Sequence, residues 1–296
     1  MDAETLTGRQ ALVFGASGQI GSAVVERLLA AGWQVLAVSR RRQDDRPGLR
    51  WLQGDLAGVA GVPATVAAVI SCGPLDHFAR WLSCAAVQAG QVIAFGSTSV
   101  HVKQDSPDAE ERGLAARLAE AEVLLQAQVP QRAAAITLLR PTLVWGAGSD
   151  HNVSRIAAMA MRVGGFALPA SARGRRQPVH VQDLAQAVMA VLASPGRAGR
   201  AYDLPGGETL EYRQMVRRVL DALPRRARLL VVPDGVFSLM LRVAWRLGRL
   251  RGFSAATRER MGQDLVFDAG PAREDLGWAP RGFAPTAAEL GVAGAQ

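Results

Sequence analysis

Three glycines spaced by three, Gly15, Gly18 and Gly21, lie between an apolar run at residues 11–14 and a helical pattern that extends to Leu29. Glycine at the first position permits a tight turn, at the second lets backbone approach a pyrophosphate, and at the third lets a helix pack close to a strand. The residues between them, Ser17, Gln19 and Ile20, then sit at a helix N-terminus, where backbone N–H groups receive anions. A second strand pattern at residues 34–38 follows Gly32, which supplies the βαβ context that such a glycine turn needs. This segment therefore reads as the phosphate-binding opening of a nucleotide-cofactor site.

The elements that must position that turn alternate along the first half. Strand candidates fall at residues 10–14, 34–38, 50–53, 67–71, 91–95 and 135–139, with helical patterns between most of them. Such alternation predicts an α/β fold, a Rossmann-type doubly wound parallel sheet. Beyond Gly148 the texture changes to a helix at residues 153–163, a loop rich in Gly, Pro and Arg, and a helix at 181–193 opened by His180 and Asp183. A helix near 211–223, a strand-like stretch at 229–232 and an apolar helix at 236–250 follow. Residues 1–148 are expected to form the dinucleotide-binding core, and 149–296 mostly a smaller C-terminal substrate lobe with elements returning to that core.

Composition narrows the class. With 296 residues, 49% of them apolar, the chain can bury a large core. No basic leader precedes an apolar stretch at the start, and no ~18-residue run escapes arginine, so a cytoplasmic protein without a transmembrane segment is expected. Cys72 and Cys84 lack the spacing of a metal or disulfide framework, and His77, His101, His151 and His180 are scattered, so no metal is expected. The net charge of +8 suits anionic ligands, but its arginines are spread along the chain rather than gathered with aromatics, which argues against a nucleic-acid partner. In the helix at 236–250, Arg242, Arg246 and Arg249 share one face of an otherwise apolar surface. That pattern fits a lobe interface or peripheral contact with an anionic membrane. Oligomeric state leaves no readable trace.

Taken in order, several segments resemble the extended short-chain dehydrogenases/reductases, the NAD-dependent epimerase/dehydratase family, over nearly the whole chain. They are the glycine turn, Gly54-Asp55-Leu56, the serine-rich Gly96-Ser97-Thr98-Ser99-Val100, and Leu139-Arg140-Pro141 through Trp145-Gly146. Val179-His180-Val181-Gln182-Asp183-Leu184-Ala185 and Ala272-Arg273 through Leu276-Gly277-Trp278 complete the series. The resemblance implies that Asp55 meets the adenine amino group and Leu56 its face. It also puts Cys72 and Gly73 under the cofactor at the end of the fourth strand, and Pro141 beside it.

The family's chemistry normally rests on a Tyr-x-x-x-Lys pair, and this chain cannot form it. Its two tyrosines, Tyr202 and Tyr212, lie in the C-terminal half, and its only lysine is Lys103. On the corresponding helix Gly113 and Arg117 take the two positions, or Leu114 and Leu118 one register later. Arg117 can donate hydrogen bonds to a nicotinamide ribose but stays protonated and relays no proton; it equally fits a solvated helix position. Ser97, at the family's catalytic Ser/Thr position, is the candidate to polarise a carbonyl or hydroxyl. Candidate proton donors are His101, Lys103, Glu111, His151 or water, with His101 placed first because imidazole titrates near neutrality. Thr98, His151, Arg173 and Arg176 are the substrate-binding candidates.

Where the family favours NAD with a carboxylate after the second strand, this chain has Ser39, Arg40 and Arg41, which suit a 2′-phosphate. NADP(H) is expected over NAD(H). The resulting expectation is an atypical NADP(H)-dependent oxidoreductase or epimerase acting on a small carbonyl or hydroxyl compound, nucleotide sugars included. The alternative is a non-catalytic NADP(H)-binding protein serving as a redox sensor or interaction subunit.

Overall fold

The computed structural model describes residues 9–132, 135–150, 152–194, 200–246 and 255–292. Its central sheet contains β1 (Gln10–Phe14), β2 (Gln34–Ser39), β3 (Leu49–Asp55), β4 (Gly58–Val59), β5 (Thr65–Ser71), β6 (Gln88–Phe95), β7 (Ala135–Pro141) and a later strand, β12 (Ala201–Leu204). The spatial order is β12-β7-β6-β5-β1-β2-β3-β4. All neighbours run parallel except the short edge strand β4, which is antiparallel to β3. The chain reverses its direction of travel across the sheet between β1 and β5. A crevice therefore opens beyond their carboxyl ends, at the switch point where ligands enter doubly wound sheets.

The strands read as apolar runs because helices cover both faces of the sheet. On one face lie α1 (Gln19–Ala30) and α6 (Val181–Leu192), whose Val24, Leu28, Leu184 and Val188 are buried with Val13, Ala37 and Ile70. On the other lie α2 (Leu75–Cys84) and α4 (Ala109–Arg132), which bury Phe78, Leu82, Leu118 and Leu125 against Leu12, Phe14 and Val69. Each such aliphatic or aromatic side chain contributes roughly 1.5–3 kcal/mol on leaving water. A four-residue helix, α3 (Ser99–Val102), links β6 to the segment before α4.

A third cluster gathers around Trp145 and Phe283 and takes in Val153, Ile156, Leu168, Met215, Val219 and Leu290. It is built on α5 (Val153–Val163) and α7 (Tyr212–Asp221). Asp150 opens α5, its carboxylate accepting from the backbone N–H of Asn152 and Ser154, at 2.9 and 3.1 Å. The stretch expected as a Gly-, Pro- and Arg-rich loop instead contains β9 (Gly165–Pro169), β10 (Arg175–Arg176) and β11 (Val179–His180). They pair respectively with β14 (Arg228–Val232), β13 (Leu210–Glu211) and β8 (Val144–Trp145). Strands of two to five residues with remote partners carry no periodicity of their own, so local pattern misses them.

The apolar helix is α8 (Asp234–Arg246); residues 247–250 of its expected span lie outside the described residues. It buries Phe237 and exposes Val236, Leu239, Met240 and Val243. Two short helices, α9 (Ala255–Gly262) and α10 (Gly270–Leu276), lead to the C-terminal stretch. Among the described residues no helix is long and apolar enough to cross a membrane.

Candidate functional site

Two clefts meet at the turn after β1. The first, a cavity of about 570 Å³, lies over the carboxyl ends of β1, β2, β3 and β5. Of the residues expected to hold a cofactor, Gly15, Ser17, Gly18, Ser39, Arg40, Asp55, Leu56, Cys72 and Gly73 line it, joined by His77. The turn has little room to vary. Gly15 has φ +68°, and a Cβ there would stand 2.8 Å from the Cys72 carbonyl carbon. A Cβ on Gly21 would stand 2.1 Å from the Gly15 oxygen. Gly21 and Ile20 thus shape the turn from beneath, as part of α1, rather than lining the cavity.

The first turn of α1 carries no side-chain cap and no acidic residue, so its orphan N–H groups and the helix dipole face the cleft without a competing carboxylate. Asp55 accepts the backbone N–H of Ala57 at 2.8 Å, and the Ser39 hydroxyl oxygen accepts that of Arg41 at 3.2 Å. The latter bond fixes the arginine-bearing turn at the rim: Arg40 lines the cavity, and the exposed Arg41, also expected to hold the cofactor, does not. Burial raises the Cys72 thiol above its ordinary value, which favours its protonated form. An uncapped helix start, a glycine floor and a cationic rim match what a dinucleotide phosphate chain requires.

The second cleft, about 330 Å³, lies between the end of β6 and the C-terminal segments. Ser97, Thr98, Ser99, Lys103, Thr142, Asn152, Arg176, Gln177, Arg260 and Phe267 line it, and so does Gln19 of the glycine turn. Gln19 Oε1 is buried there without a hydrogen-bond partner. Ser97 is positioned by the strand ends: Gly96 N donates to Leu139 O at 2.8 Å, and Thr98 N to Pro141 O at 3.3 Å. Pro141 acts through that carbonyl and does not line either cavity. Ser97 Oγ accepts the N–H of Ser99 at 3.1 Å, which leaves its own O–H to donate to a substrate oxygen.

The charge of this cleft is one-sided. Lys103, Arg176 and Arg260 line it, while no Asp or Glu stands among its described lining residues. Arg176 is buried, with Nη1 donating to the carbonyls of Arg175 and Gln263 at 2.8 and 2.7 Å, and Nη2 to that of Arg260. Its guanidinium also lies 5.3 Å from the Tyr212 ring centre. Arg173, by contrast, is exposed and lines neither cavity, and His151 lies outside the described residues.

The other expected catalytic groups are engaged elsewhere. Arg117, one turn after Gly113 on α4, reaches Asp76 of α2, with 4.0 Å from Nε to Oδ2, and its side chain is 56% exposed. It lines neither cavity. His101 does not line the second cleft: its Nε2 stands 3.1 Å from Asp203 Oδ1 on β12, and its ring centre 6.1 Å from that of Phe267, which does. Asp203 also meets Arg140 Nη1 at 3.6 Å, and the Arg140 guanidinium grips the buried Glu122 carboxylate, with 2.7 Å from Nε to Oε1. That ion pair holds Arg140 above its already high ordinary pKa. Neither tyrosine lines either cleft: Tyr202 donates its hydroxyl to Asp275 at 2.8 Å, and Tyr212 is half-buried beside Arg176 with its phenol pushed up by desolvation. Arg260, Leu265 and Phe267 had no signal in the sequence; they reach the cleft through α9 and the segment after it, which show no motif.

Residues 11–87 match the model of the NAD dependent epimerase/dehydratase family. The chain is 28% identical over 312 residues to the 2-alkyl-3-oxoalkanoate reductase of Stenotrophomonas maltophilia, covering 91% of this chain and 94% of that protein. It is also 27% identical over 266 residues to the mitochondrial NADH dehydrogenase [ubiquinone] 1 alpha subcomplex subunit 9 of Arabidopsis thaliana, covering 80% of this chain and 63% of that one. Among solved structures, MoeE5 in complex with UDP-glucose and NAD superposes with a TM-score of 0.67 at 19% identity over 96% of both chains.

Proposed function

We propose, proceeding from the chain's membership of the extended short-chain dehydrogenase/reductase (NAD-dependent epimerase/dehydratase) family, that it is an NADP(H)-dependent oxidoreductase or epimerase acting on a small anionic carbonyl or hydroxyl compound. The observation that carries this reading is the glycine turn itself, whose Gly15 and Gly18 line the first cleft while Gln19 lines the second. A dinucleotide laid along the first cleft would end where the second begins. When bound, such a cofactor supplies or takes up a hydride.

The chain's own residues do the rest. The first turn of α1 binds the phosphates, with Ser17 and Gly18 beside it; Asp55, Leu56, Cys72 and Gly73 receive the adenine half. Arg40 pairs with a 2′-phosphate, and the absence of a carboxylate at the end of β2 removes the group that would repel one. Ser97 donates to the substrate oxygen, beside Thr98, and Lys103, Arg176 and Arg260 attract the substrate's negative charge. Residues 1–148 serve as the cofactor core, and much of 149–296 closes over the substrate. A 3-oxoalkanoate and a nucleotide sugar both meet these demands: each joins an oxidisable or reducible carbon–oxygen centre to an anionic group.

A second reading rests on a specific observation: Arg117 stands outside the cleft, and no tyrosine lines it. A cofactor-holding interaction subunit would need neither, and one relative is named as a subunit of a larger complex. Calorimetric titration with NADPH and NADH side by side, followed by NADPH oxidation assays against 3-oxoalkanoates and NADP+ reduction or epimerisation assays against UDP-sugars, separates the two. Binding with turnover supports the enzyme, binding without turnover across the panel supports the subunit, and no binding of either nucleotide sinks both.

A further inference from the structure

We infer that Lys103 is the proton-transferring residue of the second cleft, taking the place of the family's missing tyrosine. The inference rests on the oxidoreductase reading above and deepens it. Among the described residues lining that cleft, Lys103 is the one side chain able to exchange a proton in the range where enzymes work, since Arg176 and Arg260 remain cations and the hydroxyls of Ser97, Thr98, Ser99 and Thr142 remain neutral. His101, the other titratable group on this connection, is turned to Asp203.

Backbone places Lys103 with some care. It caps α3, its N–H donating to Ser99 O at 3.1 Å and its carbonyl accepting from Ser106 N at 3.3 Å. One helical turn thus separates it from the Ser97–Ser99 corner. Its side chain is only 20% exposed, and Nζ stands 3.9 Å from Glu111 Oε1 of α4. The Glu111 carboxylate is shared: Oε2 accepts the Ser106 hydroxyl at 2.7 Å, and Oε1 is held by Arg260 of α9. Glu111 is therefore already neutralised by an arginine that cannot give up its proton, and Lys103 is left as the labile partner of the three. Burial and the Arg260 cation hold its ammonium below the ordinary lysine value of 10.5, while Asp108 pulls the other way.

The step balances. In reduction, the carbonyl carbon gains the hydride that the nicotinamide dinucleotide supplies, and the carbonyl oxygen gains a proton from Lys103. One N–H bond breaks as one O–H bond forms, and the resulting amine recovers its proton from water. Oxidation of an alcohol runs the same transfers in reverse, with the neutral amine as base. Because reduction needs the ammonium and oxidation the amine, rising pH suppresses the first and favours the second, with the turning point below that of an ordinary lysine.

The test exploits the fact that this is the chain's only lysine. Reductive methylation with carbon-13 formaldehyde gives a single dimethyl-lysine resonance, which is titrated in the NADPH-bound protein and in urea. The expected result is a midpoint below that of the unfolded chain. In parallel, Lys103→Met and Lys103→Arg are assayed for NADPH affinity by calorimetry and for NADPH oxidation with 3-oxohexanoate. Both variants should bind NADPH within about threefold of the parent and lose on the order of 100-fold in oxidation rate, the span attributed to one general acid. A Lys103→Arg protein as active as the parent, or a lysine titrating as in urea, overturns the inference while leaving the functional reading in place. If the parent binds NADPH but leaves 3-oxohexanoate untouched, the variants are assayed on the member of the panel that is turned over, and no turnover across the panel overturns this inference together with the enzyme reading. A parent that binds no NADPH overturns the functional reading, and this inference with it.

Discussion

The two clefts are walled by different materials. The first is made of backbone: a glycine turn, an uncapped helix start and the ends of parallel strands, with a few side chains at its rim. The second is made of side chains drawn from the segment after β6, α3, the β7–β8 connection, β10 and α9, spread over some 170 residues of chain. A site of backbone is fixed by the fold and survives wide sequence change. A site of side chains is re-equipped one residue at a time, and here tyrosine is gone, the helix cation has left for Asp76, and three cations converge from other elements.

The sharpest way to break this contrast is Gly21→Val. Its Cβ would collide with the Gly15 oxygen, so the turn must shift; we expect a stability loss of about 1–3 kcal/mol and NADPH binding weakened by roughly 100-fold or more, read by thermal unfolding and calorimetry. Unchanged binding would show that the turn does not hold the cofactor. Ser97→Ala should lower turnover by about 100-fold and leave NADPH affinity within a few-fold. If affinity fell in step with rate, the clefts would be a single site rather than two. Arg40→Ala probes the cationic side chain at the rim of the first cleft. It should weaken NADPH by about 10- to 100-fold, the worth of a charge-assisted hydrogen bond, while NADH moves by less than about threefold. Equal weakening of both would remove the case for a 2′-phosphate preference. Smallest of all is Arg117→Ala: its ion pair with Asp76 is exposed, so stability should change by less than about 1 kcal/mol, with turnover and cofactor binding unmoved. A large loss of turnover would return Arg117 to the chemistry.

The same division explains what the sequence made legible. The β1–α1 turn and the core strands could be read because their signals are local: apolar runs, glycine spacing, a helix period within about 20 residues. Even the start of α6 was visible, though not that His180 caps it, its Nδ1 accepting the Gln182 N–H at 3.1 Å. The second cleft was readable at Ser97, Thr98, Lys103 and Arg176, and at Gln19 through the glycine turn. Arg117 and His101 were plausible by position, but their partners, Asp76 and Asp203, lie 41 and 102 residues away, and no local pattern encodes such a pairing. Arg260 and Phe267 come from a stretch with neither motif nor periodicity, and their role exists only once the chain has folded back over β6.

One feature of the sheet bears on how the protein is made. The face carrying Val13, Ala37 and Ile70 is covered by α6, and the outer edge of β7 is closed by β12, both supplied from beyond residue 180. On the ribosome the segment from β1 to β7 therefore emerges with an apolar face and an open strand edge, and neither is sealed until the stretch through Leu204 has left the exit tunnel. During that interval the nascent chain offers a surface that chaperones bind and that neighbouring chains can add to, so synthesis rate and chaperone supply should govern its yield more than the stability of the finished fold does.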